Sequence, residues 1–324
     1  MKIFVTGATG YLGYHFVKAA LRAGHEVLCL RRETSKSLFE PSLEEKVQWV
    51  INNDTMKEIV KSFKPDVLFH AAWGGVRGND RDNVDVQNEN IVMSRNLFLL
   101  YPYKQIISIG SQAEYGYYSD VISEDYSLNP TMEYAKSKVK CCNEMIEICQ
   151  NNNIEWQWIR IFTVFGEKQT GGLIKLVIEK CLNNEQEFDT TKGEQKYSYL
   201  YAPDFGRAIC SILGSKGKSG VYNLSQPQCL KSNREIIESV KKLTKSTINI
   251  NFGTVAYPEG QVMLMDGKVD KFESTFEKIP YTNFNTALNN TINDAILLKY
   301  NNLGGGDRVI FMLATPECYY KGVA

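Results

Sequence analysis

The sequence predicts an α/β fold, a doubly wound parallel sheet with a smaller C-terminal α/β domain. Three observations predict it. Short apolar runs alternate with helix-periodic segments up to about Phe165, the order that a parallel sheet with crossover helices requires. The first such junction, "FVTGATGYLG", is a glycine-rich turn. Beyond Phe165 the alternation continues with shorter strands and a less regular pattern.

The elements follow in order. "KIFVTG" is a buried strand ending in glycine, and "YLGYHFVKAALRAG" has helical spacing with Gly24 just past its end. "HEVLCLRR" and "KVQWVI" are the next strands, then the helical "TMKEIVKSF". "PDVLFHAA" is a fourth strand, the segment around "QNENIVMSRNLFLL" a helix, and "KQIISIGS" a fifth strand. Asn129 and Pro130 offer an N-cap and a first-turn proline for the helix through "TMEYAKSKVKCCNEMIEICQ". "IEWQWIRIFTVFG" reads as a sixth strand. The expected division is residues 1–165 for the larger domain, with part of 197–225 returning to it, 166–300 for the smaller one, and a 301–324 tail. The Gly304-Gly305-Gly306 run lacks a preceding strand, so it reads as a joint rather than a phosphate loop.

Bulk properties narrow the function. Formal net charge is +0, so no basic excess marks a nucleic-acid partner. No apolar stretch is long enough to cross a membrane, and "MKIFVTGATG" is too short for a secretory signal. The expectation is a cytoplasmic protein. Eight cysteines occur, but no C-x-x-C pair, and none of the three histidines lies near a cysteine. They read as reduced packing residues with no metal site.

"TGATGYLG" sets Gly7, Gly10 and Gly13 between the first strand and first helix, where a Rossmann-type dinucleotide site has its phosphate turn. The first glycine permits the turn, the second a close approach to pyrophosphate, the third tight helix packing. At the end of the second strand, where a carboxylate would bind ribose hydroxyls, stand Arg31 and Arg32. A guanidinium pairs with a phosphate in a fork, which favours NADP(H) while leaving NAD(H) possible.

Tyr134 and Lys138 are four apart on a predicted helix, so both leave one face. An ammonium beside a phenol would favour the phenolate and ready it for proton transfer. Ser111 ends a strand at the carboxyl edge, where open α/β sheets bind ligands. Glycine loop, serine-ending strand and "NPTMEYAKSK" together resemble the extended short-chain dehydrogenase/reductase family, the nucleotide-sugar epimerases, dehydratases and reductases, from Met1 to about Tyr300. The resemblance implies Ser111, Tyr134 and Lys138 as catalytic residues. It implies that Thr9, Tyr11, Leu12, Asp54, Ala71, Ala72, Asn90 and Phe162 join the glycines and arginines around the cofactor, with Tyr134 and Lys138 also in contact. It assigns Ser111, Gln112, Thr163 and Lys175 to a nucleotide-diphosphate sugar.

Dehydratases of the family carry Thr-Asp-Glu where this chain has Ser111-Gln112-Ala113. Neither Gln112 nor Ala113 can act as acid or base, and Glu114 is one place late. Reduction, oxidation and epimerisation at a sugar carbon remain. The body is similar to 4-keto-6-deoxy-sugar reductases of the CDP-abequose synthase type, which implies NADPH-dependent reduction of a C4 ketone. The alternatives are an NAD-linked 4-epimerase or C4 dehydrogenase, and a non-catalytic NADP(H)-binding sensor. The chain departs from the family at Thr163, where asparagine is usual, and at Tyr197 and Ser198, where an Arg-Asp pair is usual. Arg160, Lys168, Lys175 or Lys192 could replace that arginine. The resemblance also implies a homodimer through the Tyr134 helix, although its Val139, Cys142, Met145, Ile146, Cys149 stripe reads first as core.

Overall fold

A computed structural model describes residues 1–302. Residues 303–324, including the triglycine run, lie outside the described residues, so most of the expected tail is not addressed. The elements are β1 (Lys2–Thr6), α1 (Tyr11–Arg22), β2 (Glu26–Arg31), α2 (Pro41–Glu44), β3 (Gln48–Ile51), α3 (Met56–Phe63), β4 (Val67–His70) and α4 (Val84–Phe98). Then come β5 (Gln105–Ser111), α5 (Glu133–Asn151), β6 (Glu155–Ile161), β7 (Thr163–Phe165), α6 (Leu173–Leu182), β8 (Glu187–Thr190), β9 (Lys196–Tyr201) and α7 (Ala202–Ser211). The last are β10 (Gly220–Leu224), β11 (Leu230–Ser232), α8 (Asn233–Thr244), β12 (Asn249–Phe252), β13 (Leu264–Met265), α9 (Asp270–Thr275) and α10 (Phe284–Asn302).

Two units emerge from the chain's internal contacts. The first is 1–164, 195–231 and 259–281; the second is 165–194, 232–258 and the residues from 282 on. The chain therefore returns to the first unit twice.

The first unit holds a seven-stranded parallel sheet in the order β10-β6-β5-β4-β1-β2-β3. Both faces are covered, as an all-parallel sheet demands. Alternate residues of β1 show it. Ile3 and Val5 join one core with Phe16, Val17 and Ala20 of α1 and Phe205 and Ile209 of α7. Phe4 joins the other with Val60 of α3, Phe98 of α4 and Met145 of α5. All seven residues of β5 are buried. The cysteine-rich face of α5 is core: Cys142, Met145 and Cys149 pack inside this second cluster.

Two expectations need correction. Helix α5 starts at Glu133, not at Asn129–Pro130, and its N-cap Met132 makes no side-chain cap. The cap comes from elsewhere in the fold, with the Glu133 N–H donating to Asp82 Oδ1 at 3.1 Å. The sixth strand is also two strands. After Ile161 the chain leaves the large sheet, and β7 pairs with β9 in a separate sheet of order β11-β9-β13.

The second unit pairs β8 with β12 in parallel and packs α6, α8 and α10 together. Helix α8 opens on a capping box between Ser232 and Glu235.

Helix α7 approaches α1 through Gly206, where an added Cβ would lie 2.5 Å from the His15 carbonyl oxygen. Gly206→Ala should destabilise the chain by about 1–3 kcal/mol through overpacking, read as a lower urea midpoint with unchanged m.

Candidate active site

The glycine turn is built as a tight cradle. Gly7 has φ +77°, and a Cβ there would sit 2.7 Å from Ala72 N and 2.8 Å from the Ala71 carbonyl carbon. A Cβ on Gly13 would sit 2.1 Å from the Gly7 oxygen. Only glycine allows the left-handed turn and these approaches. The Gly10 N–H donates to Gly7 O at 2.9 Å, and Gly10 caps α1 without a side chain. Gly10 puts no capping side chain over the first-turn N–H groups of α1, which suits a dinucleotide phosphate.

The strand edge beside it is held by a buried relay. The Ala72 N–H donates to Thr6 Oγ1 at 3.4 Å, and Thr6 Oγ1 lies 2.7 Å from His70 Nδ1. His70 Nε2 lies 2.8 Å from Ser94 Oγ, which donates to the Asn90 carbonyl. Burial, then the Lys138 charge, pushes the His70 pKa down to about 3. The ring is therefore neutral, and the network assigns its proton to Nε2. Asn90 itself is spent on the loop, accepting from Gly74 N at 2.7 Å and donating to Gly74 O and Val86 O. It shapes the Ala71–Ala72 edge rather than presenting a free amide.

At the end of β2, the Arg31 guanidinium lies 5.1 Å from the Trp49 ring centroid, and its buried Nε has no partner. Arg32 and Asp54 are exposed. Phe162 is buried, its ring pressed against Gly267.

Ser111 ends β5. Its Oγ accepts from the Ala113 N–H at 3.2 Å, and its own N–H donates to Glu114 Oε1 at 2.8 Å. The Ser111 side chain lies close enough to the Tyr134 hydroxyl to lower its pKa. The two residues the sequence set far apart thus meet at the carboxyl edge of the sheet. Tyr134 is half-buried, and burial pushes its pKa above the usual phenol value. The nearby Ser111 side chain and the charge of Arg81 oppose that rise, while Glu114 adds to it.

The expected pairing of Tyr134 with the Lys138 ammonium needs correction. Lys138 is buried, donates to the Ile109 carbonyl at 2.7 Å, and sits 3.7 Å from the Trp73 ring centroid. Burial lowers its pKa to about 8. The cation over the Tyr134 ring is instead Arg81, 4.9 Å from the centroid. Helical spacing put both side chains on one face, but could not show that a backbone carbonyl and an indole would draw the ammonium aside.

Glu114 is fully buried and explains why it is no displaced catalytic acid. Its carboxylate accepts from Arg160 Nε at 2.7 Å and Trp158 Nε1 at 3.0 Å. Arg160 is buried with it, so it is not available for a diphosphate. Glu114 and Ser111 form a capping box; the S-x-x-E spacing in the sequence was the signal that identifies this role. Trp73 and Arg81 carry no comparable sequence signal.

Gln112 Oε1 accepts from the Tyr118 hydroxyl at 3.1 Å, and Thr163 Oγ1 points to Met265 Sδ at 3.4 Å. At Tyr197 and Ser198, where an Arg-Asp pair is usual in the family, the Tyr197 hydroxyl donates to Val262 O and buried Ser198 donates to Gln226 O. Within the second unit, Lys175 pairs with Glu179, Lys168 pairs with Asp294 at 3.2 Å, and Lys192 is exposed. Lys175 and Lys168 line a cavity of about 520 Å³ in that unit. No group of metal-ligating side chains occurs among the described residues, and none of their helices is long and apolar enough to cross a membrane.

A parallel sheet, a glycine phosphate turn and a Ser–Tyr pair with a buried lysine at its carboxyl edge define an NAD(P)-dependent enzyme of the extended short-chain dehydrogenase/reductase type. The chain belongs to the NAD dependent epimerase/dehydratase family, whose model matches residues 3–225. It is similar to the CDP-abequose synthase of Salmonella muenchen, 27% identical over 273 residues, covering 81% of this chain and 87% of that one. It is also similar to the UDP-glucose 4-epimerase of Lactobacillus helveticus, 25% identical over 282 residues, covering 78% and 84%. In fold it resembles the Bacillus cereus UDP-glucuronic acid 4-epimerase solved with UDP-glucuronic acid and NAD, with a TM-score of 0.77 at 21% identity, covering 92% of this chain and 100% of that one.

Glu114→Ala should leave Arg160 buried without its carboxylate and lower stability by about 3–5 kcal/mol. Chemical denaturation should show a comparable loss for Glu114→Gln, which keeps the shape but leaves the Arg160 charge uncompensated and turns an amide N–H toward another donor.

Proposed function

We propose that this protein reduces the C4 ketone of a nucleotide-linked 4-keto-6-deoxy sugar with NADPH. A bound nicotinamide supplies hydride to the carbonyl carbon. The chain's own groups handle the oxygen. Ser111 donates a hydrogen bond to the carbonyl, and the Tyr134 hydroxyl gives its proton to the alkoxide as the C–H bond forms. Lys138 carries a positive charge beneath the sheet edge, next to Ile109 and Trp73.

The observation that carries this reading is Ser111 at the end of β5, near enough to the Tyr134 phenol of α5 to lower its pKa, with no acid–base pair at 112–113 beside it. Glu114, the nearest carboxylate in sequence, is occupied by Arg160 and Trp158. Water elimination needs a second acid or base that these positions do not provide. Similarity to a CDP-abequose synthase supports reduction over epimerisation, and the arginines at 31 and 32 support the phosphorylated cofactor. Similarity to a 4-epimerase supports the second reading, reversible oxidation and re-reduction on tightly held NAD.

The two readings separate in one assay. Purified protein, mixed with NADPH and a panel of 4-keto nucleotide sugars, should consume NADPH in proportion to ketone added. NAD that copurifies, with no net NADPH consumption, establishes the epimerase instead. Tyr134→Phe should lower kcat by roughly 10²–10⁴-fold; near-wild-type turnover removes Tyr134 from the chemistry. Arg31→Ala with Arg32→Ala should reduce the kcat/KM preference for NADPH over NADH by roughly ten- to a hundredfold, measured with both cofactors at fixed ketone.

A further inference from the structure

Arg81 is a charged residue of the first unit to which the family resemblance gives no role. It closes the short 3₁₀ segment Gly78–Arg81, between β4 and α4. Its guanidinium carbon lies 4.9 Å from the centre of the Tyr134 ring. Its Nε is buried and makes no hydrogen bond, and it forms no ion pair with a carboxylate among the described residues. Most buried donors are paired, so this one calls for an explanation.

The loop that carries it is braced. Gln87 accepts from Trp73 Nε1 at 2.9 Å and donates to Gly75 O and Asp80 O at 3.0 and 2.8 Å. Asp82, the next residue, receives the Glu133 N–H at the start of α5. The segment that holds Arg81 is thus tied to the helix that holds Tyr134, one residue from each on either side.

We propose that Arg81 is a positioning residue for proton transfer, its guanidinium stacked on the Tyr134 ring to supply the positive charge that stabilises negative charge on the phenol oxygen. The inference rests on Tyr134 being the proton donor. A cation on an aromatic face is held by the ring's electron density, and the attraction grows when the ring carries phenolate charge. The groups facing Tyr134 are few. Ser111 and Glu114 approach from the end of β5, Arg81 from the loop after β4, and Lys138 shares α5 but turns to Ile109 and Trp73. Asp82 and Glu133 flank the junction. Arg81 and Ser111 favour the phenolate, whereas Glu114 and burial oppose it.

The test is a pH titration of tyrosinate absorbance in the full chain without sugar, taken as the difference between each protein and its Tyr134→Phe counterpart. Arg81→Gln should move the midpoint upward by about one pH unit, and Arg81→Lys should recover more than half of that. The alkaline limb of kcat/KM for ketone reduction should move with it. Circular dichroism confirms the fold of each variant. If Arg81→Gln does not fold, Arg81→Lys and Arg81→Met carry the same comparison. An unmoved midpoint in the neutral variant, or an equal shift in the lysine variant, overturns the proposal; a structural role alone would lower kcat and leave both midpoint and limb in place. The absorbance titration needs no substrate, so a moved midpoint with no ketone reduced sinks the proposed reaction and not the role of Arg81.

Discussion

The active edge of the sheet depends on one buried carboxylate. Glu114 accepts from the Ser111 N–H, from Trp158 Nε1 and from Arg160 Nε. It thereby joins the last residue of β5, the turn after it and the neighbouring β6. The Ser111 backbone cannot shift without breaking that set. The interior tightens it further: Arg160 also lies 4.6 Å from the Tyr115 ring centroid, and Tyr115 donates to Asn223 of β10 at 2.6 Å. A charge pair sealed from water is a poor source of net stability, because desolvation offsets most of the attraction. What it does supply is geometry. A carboxylate with several fixed donors has one low-energy orientation, and the turn at 111–115 inherits it.

The opposite wall of the site is held by amides rather than charges. Asn90 and Gln87 of α4 bond the backbone of the loop after β4 at Gly74, Gly75 and Asp80. Gly75 has φ +62°, and a Cβ there would meet Gln87 Nε2 at 2.8 Å. Glycine lets the loop turn close enough for these bonds to form. The loop then presents Trp73 to Lys138 and Arg81 to Tyr134. Each cation is met by an aromatic face, a contact worth more when both partners are shielded from water.

The sheet, the glycine turn and the placement of Ser111 at a strand end were legible because each follows from local pattern. Apolar runs bounded by glycine specify buried parallel strands, and the β1–α1 junction needs glycine for steric reasons that any reader of the sequence can state. The start of α5 was not legible. Its cap is Asp82, about fifty residues away in sequence, and no local rule anticipates a tertiary cap. The break after Ile161 was hidden because "IRIFTVF" is rich in β-branched and aromatic residues with no glycine or proline to mark a stop, so one long strand and two short ones look alike. The site was half legible. Residue types and spacing gave Ser111, Tyr134 and Lys138, but the partner of each charge is decided by which buried acceptor lies nearest. That choice depends on packing.

Lys138 shows how that choice acts on stability and function together. Its pKa falls from the ordinary 10.5 to about 8 in the folded chain, so the unfolded chain binds the proton more tightly. The sign follows: below pH about 8 the penalty for holding the ammonium is fully present, and it fades as pH rises toward the unfolded value. At neutral pH the fold therefore carries a charge that burial disfavours, eased by the Ile109 carbonyl and the Trp73 face. A methionine would fill the same space without that penalty. Packing alone gives no reason for an amine at this position, whereas a positive charge four residues from Tyr134, the proton donor of the proposed reaction, has one. Two cations thus stand where the sequence led us to expect one, Lys138 against Ile109 and Trp73 and Arg81 over the Tyr134 ring.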